Sequence, residues 1–144
     1  MAKDITSANA SAYLYCSLFP AGLKFENFST DGAWTQDAYE TVEHRMGVDG
    51  KMAAGYTPVE KDITFHLEAN SPTLDGLDLI WQTTEVSQTP IFGSIVVTCP
   101  SIKKTFTLVN VILTSYKLLS DAEKVLAPRD AGFTCESVTS APLG

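Results

Sequence analysis

Cysteine and histidine are scarce in this chain, and their spacing excludes the common metal and redox motifs. Its three cysteines, Cys16, Cys99 and Cys135, lie far apart and form no C-x-x-C pair, which argues against a zinc knuckle or a thioredoxin-like site. We interpret them as buried, reduced thiols, which indicates a reducing compartment. The two histidines, His44 and His66, fall on predicted strands that would face each other across a hairpin. Without a third ligand nearby they form a poor metal site.

Positive charge is also in short supply. The 144 residues contain 10 Lys and Arg against 17 Asp and Glu, which gives a net charge of −7. Phosphate binding needs clustered Lys and Arg, so this balance argues against a surface that holds nucleic acid. Two interpretations of the acid stay open. One is an ordinary solvated surface, and the other is a polymeric wall that repels DNA over about a Debye length, ~8 Å.

The chain has no long apolar run. The longest, Ile91–Cys99, is interrupted by Gly93 and Ser94 and falls far short of the ~20 residues that a membrane helix needs. The N-terminal segment holds no apolar stretch of the signal-peptide type. We therefore expect a soluble protein, made in the cytoplasm, that does not insert into a membrane by itself.

Catalytic motifs are missing as well. The sequence contains no G-x-S-x-G, G-x-x-x-x-G-K-[ST], G-x-G-x-x-G or H-E-x-x-H motif. The segments Asp49-Gly50 and Asp75–Asp78 lack the spacing of a calcium loop and are explained as a turn and a helix start. We predict no enzyme, no cofactor and no metal site. A small hydrolase is the least favoured class, because a nucleophile with its base is missing.

Hydrophobic periodicity predicts a mainly β (α+β) chain. Apolar and polar residues alternate from Asp62 to Ala69, as expected of a half-buried strand. In its later half Lys104–Tyr116 is apolar on both faces, which predicts a central or covered strand. The predicted strands are Ala12–Phe19 (buried on both faces), Leu23–Phe28, Tyr39–Met46, Asp62–Ala69, Ile91–Thr98, Lys104–Tyr116 and Gly132–Val138. About seven strands favour a β-sandwich or open barrel, formed as one domain over residues 1–144.

One packed α-helix is predicted between Ser71 and Ser87. Ser71 is suited to cap this helix and Pro72 to occupy its first position, while Pro90 would end it. A stripe at i, i+3 and i+7 is predicted to anchor the helix to the sheet, and it consists of Leu74, Leu77 and Trp81. A second, short helical turn is predicted within residues 118–128.

The segment between the third and fourth predicted strands carries the strongest functional signal. The charged strand Tyr39–Met46 leads into a long, glycine-containing hairpin loop at residues 47–58 that is predicted to protrude. That loop also holds Val48, Met52 and Tyr56, which a merely solvated loop has little use for. An arm that carries apolar residues away from its own sheet indicates a partner on which they land. The pattern therefore predicts assembly rather than catalysis.

This order of elements resembles the bacteriophage tail tube protein family, which is related in fold to the tube proteins of R-type pyocins and type VI secretion systems. The resemblance spans roughly Tyr13 to Val138. The features that carry it are the charged strand Tyr39–Met46, the loop Gly47–Pro58, the strand Asp62–Ala69, the helix opened by Ser71-Pro72-Thr73, and the strands Ile91–Thr98 and Lys104–Tyr116.

The resemblance implies a structural virion protein. Such proteins form hexameric rings whose strands join a continuous inner β-barrel, and the rings stack into a tail tube through which DNA is ejected into the host. The implied partners are further copies of the chain together with tail sheath, baseplate and tail terminator proteins. DNA would pass through an acidic lumen without adhering. The implied location is the tail of the virion, after assembly in the bacterial cytoplasm, and general likeness favours a contractile tail.

The resemblance also assigns roles to residues. Val48, Met52 and Tyr56 become candidates for contacts between rings, while the extended termini, residues 1–11 and 139–144, would bridge neighbouring subunits. The candidates for lumen or inter-subunit charge are Glu40, Glu43 and Glu68. Two alternatives stay open: a tail terminator or completion protein that forms a single ring, and a monomeric β-sandwich binding module. Size in solution separates the three.

Overall fold

The described part of the chain folds mainly as β-sheet with one helix. The computed structural model describes residues 10–29, 32–122 and 124–142. Its strands are β1 Ser11–Cys16, β2 Leu23–Lys24, β3 Trp34–Gln36, β4 Val42–Met46, β5 Met52–Tyr56, β6 Lys61–Leu67, β7 Gly93–Cys99, β8 Lys104–Tyr116, β9 Arg129–Cys135 and β10 Ser137–Pro142, and its helix is α1 Thr73–Ser87. The predicted fold class is confirmed. The described residues hold ten strands because β3, β5 and β10 add to the predicted set.

The main sheet has the order β2-β1-β7-β8-β9-β6-β3, and β10 also pairs with β8. The long strand β8 belongs to both layers of a sandwich. One layer contains β2, β1, β7, β8 and β10, and the other contains β8, β9, β6 and β3. The first part of β8 lies between β7 and β10, while its last residues pair with β9. Asn110 adopts a φ of 52° between these two parts, and both Leu108 and Val111 are buried. The prediction that Lys104–Tyr116 forms a long central strand is therefore confirmed.

Aromatic side chains fill the space between the sheets. The ring centroids of Phe25 and Phe65 are 4.5 Å apart, and Phe133 lies 5.8 Å from Phe65 at nearly a right angle. Both separations fall in the range in which tilted and edge-to-face pairs are favourable. Ile63, Phe65 and Leu67 are all buried, so the period of two predicted for β6 is confirmed.

Three local predictions are wrong. The first strand is not buried on both faces, since only Ala12 and Leu14 are buried, and Tyr15 stacks on Tyr13 along the exposed face. The second strand is short, because the chain after Lys24 bends to contact the helix. Residues 118–122 and 124–128 form no helix, and a single bridge joins Ala122 to Leu126.

The helix occupies its predicted range but starts differently. Pro72 is the N-cap residue and no side chain caps the helix. The hydroxyl of Ser71 instead donates to the carbonyl of Glu26, so the predicted serine cap is wrong. Thr73 ties the same end to the sheet, accepting from the Glu26 N–H at 2.8 Å and donating to the Lys24 carbonyl at 2.7 Å. Tertiary contacts thus replace local capping at this terminus.

The predicted termini are only partly described. Residues 1–9 and 143–144, which belong to the predicted extensions 1–11 and 139–144, lie outside the described residues. Ser11 already belongs to β1, and residues 139–142 belong to β10 rather than to an extended tail. The last predicted strand, Gly132–Val138, is in fact two. Beyond Cys135 the chain resumes pairing with β8 at Ser137, in the same register.

Candidate functional site

Strands β4 and β5 form a separate two-stranded sheet that we call the arm, comprising residues 42–56. All ten strand residues are exposed. The turn is closed by hydrogen bonds from the Gly47 N–H to the Lys51 carbonyl (2.7 Å) and from the Lys51 N–H to Asp49 Oδ1 (3.1 Å). Gly50 has a φ of 83°, which favours glycine. The prediction of a loop over residues 47–58 is wrong at β5, because β5 pairs with β4 along its whole length.

Register gives the arm one apolar face. The directly opposed pairs Val42–Tyr56, His44–Ala54 and Met46–Met52 point to one side, because opposite residues of antiparallel strands share a face. The other side carries Glu43 and Arg45 with Gly55 and Ala53. The apolar side chains are open to solvent, with exposed fractions of 53% for Val42, 65% for Met46, 62% for Met52 and 70% for Tyr56. We call this surface, together with the fully exposed Val48 at the tip, the arm's apolar face.

An arm of this kind is not stabilised by its own contacts. An isolated two-stranded hairpin is marginally stable in water, and the arm packs neither face on the core. Full burial of an apolar side chain such as Met contributes about 1.5–3 kcal/mol, and Met46, Met52 and Tyr56 are each still more than three-fifths exposed. Such a cluster marks an interaction surface.

The root of the arm is held by a buried lysine. Lys61 is 8% exposed, and its Nζ donates to the Glu136 carbonyl at 2.9 Å. The same ammonium lies 5.3 Å from the centre of the Tyr39 ring, just before the arm begins, a distance that allows a cation–π contact. Lys61 follows the arm in the chain and Tyr39 precedes it, so these two contacts hold both segments that lead to the arm against Glu136, between β9 and β10.

The predicted charge candidates do not form one cluster. Glu43 lies on the arm's polar face, and Glu40 precedes the arm at its root; both are exposed. Glu68 follows the far end of β6 and is half-buried, with its N–H donating to the Asn27 carbonyl at 3.0 Å. Seven residues of β6 separate this end from the root, a span of roughly 20 Å.

The helix candidates lie at the sheet. Leu74 and Leu77 belong to the buried core, and the half-buried Trp81 packs on Tyr116 with ring centres 6.0 Å apart. Beside this contact Arg129, only 7% exposed, donates to Asp78 Oδ1 at 2.8 Å, to the Tyr116 hydroxyl at 2.6 Å and to the Lys117 carbonyl at 2.7 Å. Sequence reasoning missed this polar network, since its members are far apart in the chain.

The two histidines do not meet. His44 lies opposite Ala54 on the arm, whereas His66 lies opposite Asp130 in the main sheet. The Nδ1 atom of His66 is 2.7 Å from Asp130 Oδ1, and its Nε2 atom is 3.3 Å from Thr35 Oγ1. These contacts join β3, β6 and β9 across the exposed face of the sheet. The prediction that His44 and His66 face each other is wrong, because β5 rather than β6 is the partner of β4.

The outer edge of β10 is uncovered in the described residues, and an apolar cavity opens beside it. Within the described residues no strand pairs with the edge of β10 that faces away from β8. Beside it a cavity of about 130 Å³ opens between the two sheets, lined by apolar side chains that include Val97, Cys99, Phe106 and Val138. Sequence periodicity gave no signal for this edge, because β10 was not separated from β9.

The described residues hold neither a cluster of metal ligands nor a helix suited to a membrane. No group of three or more His, Cys, Asp or Glu in them is placed to hold a metal ion. No helix among them is long and apolar enough to cross a membrane.

Comparisons with known proteins agree with the geometry. Residues 3–139 match the protein family described as Tail fiber protein gp32, and no curated protein matches the chain. A chain from the PVC sheath/tube terminator in the extended state superposes with a TM-score of 0.63 at 11% identity, covering 98% of this chain and 99% of that one. A chain from the PVC sheath–tube complex gives 0.61 at 12%, covering 96% and 92%.

A third likeness is to the baseplate of the anti-feeding prophage. One of its chains superposes with a TM-score of 0.59 at 12% identity, covering 99% of both chains. At such identities the comparisons show a shared fold. The resemblance predicted from the order of elements is confirmed at that level.

Proposed function

This chain belongs to the Tail fiber protein gp32 family, and from that premise we propose that it is a structural tail protein that polymerises into the tail tube. The observation that carries the proposal is the arm's apolar face, with Met46, Met52 and Tyr56 each more than three-fifths exposed. Surfaces of this kind are buried by association. In this proposal the face covers a different surface of the neighbouring copy, so the contact is heterologous and can propagate.

The arm supplies the contact between copies in this proposal. Val48, Met52 and Tyr56 land on a neighbouring ring, and Lys61 fixes the angle at which the arm leaves the sheet. Rings of six copies stack into a tube. Glu40, Glu43 and Glu68 contribute charge to the lumen or to the contacts between subunits, and DNA passes an acidic wall without adhering.

The family description names a tail fiber, whereas the fold is shared with chains of sheath–tube, terminator and baseplate assemblies. A role in the tail tube would account for both the exposed arm and the uncovered edge of β10. A role in catalysis would account for neither feature, so we propose no enzymatic activity and no cofactor. Tail sheath, baseplate and terminator proteins are the proposed partners, in the tail of a contractile virion that assembles in the bacterial cytoplasm.

A single terminating ring is the second candidate, favoured by the fold shared with the sheath/tube terminator chain at a TM-score of 0.63. The two functions differ in what happens after one ring forms. A tube protein adds rings without limit, whereas a terminator stops.

Electron microscopy and sedimentation of the purified chain test the proposal. We expect hollow tubes or stacked rings whose amount rises with concentration. Single rings that do not stack would replace the tube by the terminator. A uniform monomer at high concentration, with and without seeds of assembled tails, would overturn both and favour a monomeric binding module.

A further inference from the structure

The uncovered edge of β10 lacks the usual protection of an exposed strand. Natural edge strands carry charged residues, bulges or proline that prevent pairing with another chain. Residues 137–142 read Ser-Val-Thr-Ser-Ala-Pro, with no charge and with proline only at the end. This edge is therefore chemically open to a further strand.

The cause of the uncovered edge lies in the path of the chain. Lys61, the first residue of β6, pairs with Cys135, the last residue of β9. The residues before Lys61 leave the sheet for the arm, where the Thr57 N–H donates to the Thr41 carbonyl at 2.7 Å. Among residues 10–29, 32–122 and 124–142 nothing fills the slot beside β10, in line with β6, and the apolar cavity lies next to it.

The arm has strand edges of its own. Thr57 with Thr41 and Gly47 with Lys51 are hydrogen-bonded pairs. Because such pairs alternate along antiparallel strands, the N–H and C=O groups of His44 and Ala54 point outward, one from each edge. The edge of β4 carries charged Glu43 and Arg45, whereas β5 reads Met-Ala-Ala-Gly-Tyr without charge. The unprotected edge of the arm is thus that of β5.

We propose that β5 of one copy adds to the edge of β10 of the next copy, as an extra strand in the slot left by its β6. The inference rests on the proposed function and specifies its contact. Five residues of β5 match six of β10 in length. Pairing would satisfy two rows of backbone groups at once and bring the arm's apolar face over the cavity beside Val138. Backbone hydrogen bonds supply the affinity, and the cavity supplies the fit.

Proline substitution tests which edge of the arm is used. Ala54→Pro removes an outward N–H from β5 and leaves the ladder within the arm intact, while His44→Pro does the same to β4 in the opposed position. Loss of one backbone bond at a buried interface weakens association by about tenfold or more. We expect Ala54→Pro to raise the concentration for half-assembly by that factor, and His44→Pro to stay within about twofold of His44→Ala, which removes the same side chain from the arm's apolar face without removing the N–H. Equal effects, or a larger one for His44→Pro, would overturn the proposal.

Cross-linking gives a readout that does not depend on proline. A chain carrying Cys99→Ser, Ala54→Cys and Ser140→Cys is treated with a short bismaleimide after assembly, beside the two single variants in the same Cys99→Ser background, because Cys99 lines the cavity that the arm would cover. We expect a ladder of covalent multimers only with both new cysteines. A ladder with Ala54→Cys alone, or none from assembled material, would overturn the docking on β10.

These outcomes distinguish a failure of the proposed β5–β10 contact from a failure of the proposed tail function. Wild-type chains that assemble, with both prolines tolerated, leave the tail function standing and remove the β10 contact. Wild-type chains that stay monomeric and do not cross-link overturn both. Circular dichroism and thermal melting of each variant establish that the domain is folded.

Discussion

The arm and the helix face of this molecule use similar side chains with opposite results. At the helix, Trp81 packs on Tyr116 and Arg129 binds Asp78, so both apolar and charged groups find partners within the chain. On the arm, Tyr56 is 70% exposed. Tyr116, which packs inside the fold, stabilises the single chain. Tyr56, which is exposed to solvent, instead marks a surface through which the chain associates with a partner.

The contrast extends to backbone groups. The start of α1 is tied to the Lys24 and Glu26 backbone through Ser71 and Thr73. The outward edges of β5 and β10 have no strand partner in the described residues. Substitutions at the helix should therefore change the stability of the single chain, and substitutions on the arm should change its assembly.

The largest expected effect is at the helix. Arg129→Ala leaves Asp78, whose side chain is 31% exposed, without its cation and Tyr116 without a donor. Removing one partner of a buried ion pair is strongly destabilising, so we expect the free energy of unfolding to fall by about 3 kcal/mol. Urea unfolding below the concentration of assembly measures this.

The exposed pair Lys117–Asp121, with an Nζ–Oδ2 distance of 2.6 Å, is the matched control. Asp121→Ala should change the free energy of unfolding by no more than about 0.5 kcal/mol. Similar losses for both variants would show that the Arg129 network is not special to the helix contact.

The next effect is on the arm. Tyr56→Asp places a charge on the arm's apolar face and removes the area that association would bury. We expect association to weaken by about 2 kcal/mol per contact, roughly 30-fold, with the unfolding free energy of the single chain unchanged within about 0.5 kcal/mol. Sedimentation at several concentrations measures the first and urea unfolding the second.

Arg45→Gln, on the arm's opposite face, controls for general effects on the arm. It should alter assembly far less than Tyr56→Asp. Ring stacking that survives Tyr56→Asp would contradict the role given to the arm's apolar face.

A smaller effect is expected at alkaline pH. Burial, followed by the hydrogen bond to Asp78, raises the pKa of Tyr116 above its ordinary value. The unfolded chain, with a tyrosine pKa of about 10, therefore loses the proton first, and stability present below pH 10 declines as the pH rises above it. Because the site is partly open to solvent, we expect a decline below about 1 kcal/mol per pH unit.

Tyr116→Phe isolates this contribution. Its stability above pH 10 should decline less steeply than that of the wild type, although the hydrogen bond to Asp78 is lost at every pH. Parallel pH profiles for the two proteins would show that Tyr116 does not titrate differently in the folded chain.

The sequence predicted local periodicity well and pairing poorly. Ile63, Phe65 and Leu67 reveal a buried strand face because the signal lies within seven consecutive residues. The choice of β5 as partner of β4 does not follow from residues 47–58, since glycine and alanine suit a loop as well as a strand. It depends on the backbone register, which brings Met46 opposite Met52.

The candidate site likewise contains residues that the sequence predicts and contacts that it does not. The sequence singles out Val48, Met52 and Tyr56, because these side chains are out of place in a solvated loop. It does not single out Val42 and Met46, which are likewise exposed. The Lys61 contact to the Glu136 carbonyl, by contrast, joins residues 75 apart in the chain. Neither propensity nor spacing carries information about such a contact.

The smallest expected effect sharpens the contrast between the open cavity and the closed core. Cys99 lines the cavity beside β10 and is partly exposed, whereas Cys135 is 2% exposed, and burial raises the pKa of both thiols. Thiolate is the reactive form, so both should alkylate slowly, and Cys135 more slowly than Cys99. If an arm covers the cavity, assembly should slow the alkylation of Cys99 several-fold while leaving that of Cys135 unchanged. Mass spectrometry of Cys99→Ser and wild-type chains, before and after assembly, assigns each rate. Protection of Cys135 alone, or of neither thiol, would mean that the arm does not cover this cavity.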